Sequence, residues 1–179
     1  MQHIYQDNDG LVHFDPYFAY LAAIQDNLPP NARRFALKRE HYTLAGQETL
    51  HDAWLESLTI RELSSGKRSE VCALQLELCL LGAYHDRRIW LTYQHVTSYH
   101  LNAPQETKQP LLDWQGRTTG IIALTHESGH GDLSVHEVRL SDTGSVIHEL
   151  HFTHGSTLMV ECDDIVHREE RFGNKQRWI

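Results

Sequence analysis

From Asp132 to His167 apolar and polar residues alternate with a period of two, and no other stretch of the chain dictates a structure so firmly. Leu133 and Val135 open one run. Val146, His148, Leu150 and Phe152 share a face of the second, and Leu158, Val160 and Cys162 a face of the third, which predicts three antiparallel strands. Ser141-Asp142-Thr143-Gly144 and His154-Gly155-Ser156 separate them as turns. A four-residue first turn sets Glu137 opposite His148 and His136 opposite Glu149, and so avoids facing Glu137 with Glu149. A three-residue second turn sets Phe152 opposite Leu158, Leu150 opposite Val160 and His148 opposite Cys162.

That register places Glu137, His148 and Cys162 side by side on three neighbouring strands. Carboxylate, imidazole and thiolate are all zinc ligands. Yet no Cys-x-x-Cys, His-x-x-x-His or His-Glu-x-x-His spacing lies beside them, and a motif-free trio reads better as packing. On that reading His148 pairs with Glu137, and Cys162 serves as a small hydrophobe.

The first third reads as a helical cover. Asp15-Pro16 is a helix-start signal, with Asp15 as the cap, and Tyr17, Leu21, Ile24 and Leu28 recur on one face. Pro29-Pro30 stops that helix, and Asn31 is placed to cap a second through Leu37. Strand signals begin at Leu50, pause at Ser64-Ser65-Gly66-Lys67 and are cleanest from Val71 to Leu81. A turn over Ala83 to Arg87 leads to Ile89, Leu91 and Tyr93, and Gln94-His95-Val96 breaks phase as a bulge does. Asn102 to Arg117 reads as a loop anchored by Leu111, Leu112 and Trp114; Ile121 to Leu124 is a short strand. Ser128-Gly129-His130-Gly131-Asp132 precedes a strand, not a helix, so it reads as a turn and not as a phosphate cradle. The expected architecture is one α+β domain: helices over residues 1–47, a mostly antiparallel twisted sheet of about six to seven strands over 48–167, and a polar tail over 168–179.

Composition narrows the function. The 179 residues hold 16 basic and 24 acidic side chains, a formal charge of −8, which argues against a nucleic-acid surface and fits a basic protein partner. No apolar run is long enough to span a membrane, and the first residues lack the pattern of a signal peptide. Three cysteines, Cys72, Cys79 and Cys162, without framework spacing suit free thiols in the cytoplasm. The first two, seven apart in one strand, face opposite ways and should not bridge.

His51-Asp52 invites comparison with metal-dependent phosphohydrolases that carry an adjacent His-Asp pair. Those enzymes hold it on a helix among further ligands, whereas here it opens a strand, where Asp52 is placed to accept backbone N–H bonds. No Gly-x-Ser-x-Gly elbow is present. A cysteine inside a strand lacks what lowers a thiol pKa, which weighs against Cys79 and His85 as a catalytic pair.

Leu50-His51-Asp52-Ala53 leading into a strand, Tyr93-Gln94-His95-Val96, His136 to Leu140 and Val146 to Leu150 together resemble a set of small uncharacterised bacterial proteins with an "LHDA" phrase. Some of these lie in toxin neighbourhoods and look like immunity proteins. The likeness covers about residues 48–167. It implies a bacterial, cytosolic, non-enzymatic protein, and it carries no catalytic residues across. The first functional expectation is therefore a protein-binding module without cofactor, an inhibitor of a basic toxin with Trp54 as a contact. A metal-dependent or acid–base enzyme built on His148, Glu137 and Cys162, or on His51 and Asp52, is the alternative. A structural homo-oligomer, a homodimer being the simplest, is a third.

Overall fold

The computed structural model describes residues 1–102, 107–113, 115–124 and 129–172. Twelve strands are named in chain order, the first three being β1 (Tyr5–Gln6), β2 (Val12–His13) and β3 (Trp54–Ser65). Next come β4 (Val71–Leu81), β5 (Arg87–Gln94), β6 (Ser98–Leu101), β7 (Thr107–Leu112) and β8 (Thr118–Leu124). The chain then forms β9 (Leu133–Leu140), β10 (Val146–Phe152), β11 (Thr157–Cys162) and β12 (Asp164–Arg171). Two short helices, α1 (Asp15–Ile24) and α2 (Pro30–Ala36), precede the long strands. The α+β class and the antiparallel pairing hold, but the expected single sheet does not.

Two four-stranded antiparallel sheets form instead, ordered β12-β5-β4-β3 and β6-β11-β10-β9, with β1-β2 and β7-β8 as separate ribbons. The sheets share one corner. There β5 passes into β6 through Gln94 to Thr97, and β11 passes into β12 through Asp163. The phase break read as a bulge at Gln94-His95-Val96 is this corner, where His95 takes φ of 49°. A lone bridge between Trp54 and Asp132 joins the sheets elsewhere. Buried Leu76, Leu78, Leu80, Ile89, Leu91 and Tyr93 from the first sheet meet Val138, Val146, Leu150, Leu158 and Val160 from the second in one apolar core. Each such side chain contributes about 2 kcal/mol by leaving water.

The helices cover that core with caps other than those expected. Asp15 lies inside the first turn of α1, behind Phe14, and its side chain caps nothing. Asn31 lies inside α2, whose free N–H groups are met from outside: Asp164 accepts Ala32 N at 2.8 Å and Asn31 Nδ2 at 2.8 Å. Thus the first residue of β12 pins α2 across the sheet. The Tyr17 hydroxyl accepts Val138 N at 2.8 Å and so ties α1 to β9.

Several boundaries differ from the sequence pattern. Leu50 to Ala53 is a turn closed by Ala53 N on Leu50 O at 3.2 Å, and β3 starts only at Trp54. Ser64 and Ser65 remain in β3. The loop expected over 102–117 contains β7, paired with β8. Trp114 and Ser128 lie outside the described residues, as do the side chains of Leu111 and Leu112. The sheet runs on to Arg171 within the expected tail. Residues 173–179 are not described.

Candidate functional site

Strand periodicity turns alternate residues of β9, β10 and β12 inward, and three of those positions are histidines: His136, His148 and His167. A fourth, His41, enters from the 3-10 turn Arg39–Tyr42. Phe35 of α2 sits among all four, its ring centroid 4.9 Å from His41, 5.6 Å from His136, 5.4 Å from His148 and 5.4 Å from His167. The Tyr93 hydroxyl lies 2.8 Å from His148 Nδ1, and His148 Nε2 lies 3.1 Å from His136 Nδ1. Two proton patterns satisfy both contacts: Tyr93 donates to His148, which donates to His136, or His136 donates to His148, which donates to Tyr93.

Burial keeps these rings neutral. It pulls His41 down to about 2 and His148 down to about 3, with repulsion from neighbouring rings and cations adding to the effect, and holds His136 well below the ordinary imidazole value. His167 is lowered too, by burial and then against the pull of Glu169. Rings held as low as His41 and His148 do not exchange protons near pH 7.

A polar cluster adjoins the rings where β12 meets β5. The ligand atoms of His41, His167 and Glu169 lie within 4.8 Å of one another. Glu169 Oε2 is 3.2 Å from Nε of the fully buried Arg87, and Oε1 is 3.6 Å from Lys38 Nζ. Arg87 also donates to Thr49 O at 3.1 Å, and Lys38 pairs with Glu48 at 2.8 Å. Both ring nitrogens of His41, Nε2 of His167 and Oε1 of Glu169 are nevertheless buried without a hydrogen bond of proper geometry. His41 also lines a narrow crevice with His51, His136, Phe14, Tyr42 and Leu44.

Glu137, His148 and Cys162 are not brought together as the expected registers would place them. The β9–β10 register is one residue from that expected, so Glu137 faces Glu149 and His148 faces Val138. The β10–β11 register differs by two, so Cys162 faces Val146 and His148 faces Val160. Glu137 therefore lies on the outer face of its sheet, where its carboxylate accepts the backbone N–H groups of Gln2, His3 and Ile4 at 2.9 to 3.2 Å. It has no contact with His148 of the kind expected. Cys162 is buried, and that burial pushes its thiol up to about 12. Asp52 takes φ of 62°, a conformation aspartate tolerates, and its carboxylate pairs with His51 Nδ1 at 2.8 Å. Its own N–H donates to Leu133 O at 2.9 Å.

Trp54 is different: 48% of it is exposed although it starts a strand. The His85 ring meets it edge-on at 4.6 Å, and its backbone bridges to Asp132. It heads an open groove of about 680 Å³ lined by Leu55, Gly129, His130, Asp132 and His154. His130 is held by the Ser156 hydroxyl at 2.8 Å and His154 by Gly129 O at 3.0 Å.

Sequence reasoning missed His41, His167, Glu169 and Arg87. His167-x-Glu169 was legible as two ligand types on one strand face, but only with β12 recognised as a strand. Nothing local marks His41. No family model matches the chain, and neither a curated protein nor a solved structure matches it.

Proposed function

We propose that the chain is a protein-binding module, of the immunity-inhibitor kind, which takes a basic partner against the groove headed by Trp54. One observation carries the reading: an indole nearly half exposed, packed edge-on against His85, on a backbone bridged to Asp132. A large aromatic ring immobilised before binding loses little entropy when a partner covers it, and such residues dominate interface energies. Asp52 and Glu56 flank it in sequence, and the formal charge of −8 favours encounter with a basic surface. Of the side chains first considered for catalysis, Glu137, His148 and Cys162 are fully buried, whereas His51 and Asp52 are partly exposed and paired with each other.

Wild-type protein and Trp54→Ala, immobilised at equal density, test this on extract from the native cell. The reading predicts a basic protein retained by the wild type, lost by roughly tenfold or more on Trp54→Ala and released by high salt. Equal retention by both baits, or retention indifferent to salt, contradicts it.

A further inference from the structure

We propose that His41, His167 and Glu169 form a site for a divalent transition-metal ion of the zinc class, separate from the Trp54 groove. His41 is 1% exposed, and neither of its ring nitrogens makes a hydrogen bond. A protein interior leaves such a group without a partner only where something else fills the gap. The atoms that face this gap with it, His167 Nε2 and Glu169 Oε1, are also buried and without a hydrogen bond.

The chemistry of the three atoms selects a cation. With each ring proton on the far nitrogen, all three facing atoms are electron-pair donors. A trapped water has two hydrogens to offer them, whereas a metal ion accepts all three. The Phe35 carbonyl lies close enough to the His41 ring to favour a proton on the nitrogen it faces, short of full hydrogen-bond geometry. Such a carbonyl is the usual outer partner of a metal-bound imidazole.

One spacing matches: metal–ligand bonds of about 2.1 Å arranged tetrahedrally put ligand atoms roughly 3.4 Å apart, and His167 Nε2 lies 3.4 Å from Glu169 Oε1, while the three ligand atoms together fall within 4.8 Å of one another. Residues 167 and 169, two apart on β12, present both groups on one face. Two imidazoles and one carboxylate suit zinc, cobalt or iron, whereas magnesium and calcium prefer oxygen alone. Lys38 acts against the ion, because its ammonium approaches the same Oε1 at 3.6 Å. Arg87 holds the other oxygen and so orients the carboxylate.

Protein stripped by chelation is titrated with cobalt(II) chloride, followed by visible absorption, and with zinc chloride, followed by calorimetry; circular dichroism checks the fold of every variant. The expected result is one equivalent bound, with His41→Gln and His167→Gln each weakening affinity at least roughly tenfold and His130→Gln leaving it unchanged. Lys38→Met should tighten binding, an effect no purely structural role of Lys38 produces. Where Glu169→Gln fails to fold because Arg87 loses its partner, His41→Gln and Lys38→Met still decide. Folded wild type that takes up neither ion overturns the proposal in favour of trapped water. Binding equal in His41→Gln and wild type overturns it in favour of surface histidines.

Discussion

Glu137 stands directly across the ladder from Glu149, an acid facing an acid. Separate partners make the pairing tolerable. Glu137 gathers the amides of Gln2, His3 and Ile4, while Glu149 takes the Met1 amine at 2.8 Å, Arg139 at 2.7 Å and His151 at 2.7 Å. Arg139 also lies 3.8 Å from Glu137. Glu137→Ala leaves the amides of Gln2, His3 and Ile4 without their acceptor, while Arg139 keeps Glu149, and is expected to cost about 3 kcal/mol. Urea unfolding measures the loss, and hydrogen exchange at residues 2–4 should accelerate. Unchanged exchange there would show that Glu137 does not anchor the segment.

Acid should destabilise the fold steeply. The folded state refuses protons on His136 and His148, whereas the unfolded chain accepts them below pH about 6.5, so stability is full above that pH and falls beneath it. Each such histidine removes about 1.4 kcal/mol per pH unit until its folded pKa is reached. Glu149 joins only further down. Burial raises its pKa, but the bonds from Met1, His151 and Arg139 outweigh this and hold it at about 2, so its contribution is lost below the ordinary carboxylate range. Urea midpoints at pH 7, 6 and 5 test the slope, and His148→Gln should flatten it by about 1.4 kcal/mol per unit.

Thiol reactivity reports the packing of both sheets. Cys79 and Cys162 are buried, and burial first, then nearby carboxylates, pushes each thiol up to about 12, while Cys72 is exposed. A disulfide reagent at pH 8 should label one thiol quickly in the native protein and three after denaturation. Fast labelling of two or three in the folded state would mean that the inner face holding Cys162 is open, or the outer face where Cys79 lies against Glu56.

The groove depends on a backbone shape only glycine allows. Gly131 takes φ of 79°, and a Cβ there would strike the Thr153 hydroxyl and the His154 ring. Gly131→Ala is expected to cost about 2 kcal/mol and to weaken partner capture, while Trp54→Ala weakens capture with little change in melting temperature. Thermal melts of the two variants separate these effects.

Strand identity was legible wherever alternation was strict. Val71 to Leu81 matches β4 residue for residue, because one buried face imposes period two. Register was not, since like charges opposite one another are unfavourable in isolation, and the Met1 amine and the amides of Gln2, His3 and Ile4 that help to make the pair tolerable come from the other end of the chain. Splitting into two sheets was hidden for a similar reason: the corner at His95 has the local signature of a bulge, and only long-range pairing shows β6 and β5 in different sheets. Trp54 was singled out as a contact from residue type alone, and its role remains a proposal. His41 was not, because it becomes buried only when α2 settles between β12 and β9.

The most direct test of the account is a long-range proton–nitrogen NMR spectrum of the histidine side chains across pH 7.5 to 5. The account places His136 and His148 as neutral, hydrogen-bonded rings sealed between two sheets. Both should therefore keep one fixed neutral tautomer for as long as the protein stays folded. Titration of His136 or His148 with an ordinary midpoint near 6.5 in folded protein would contradict it.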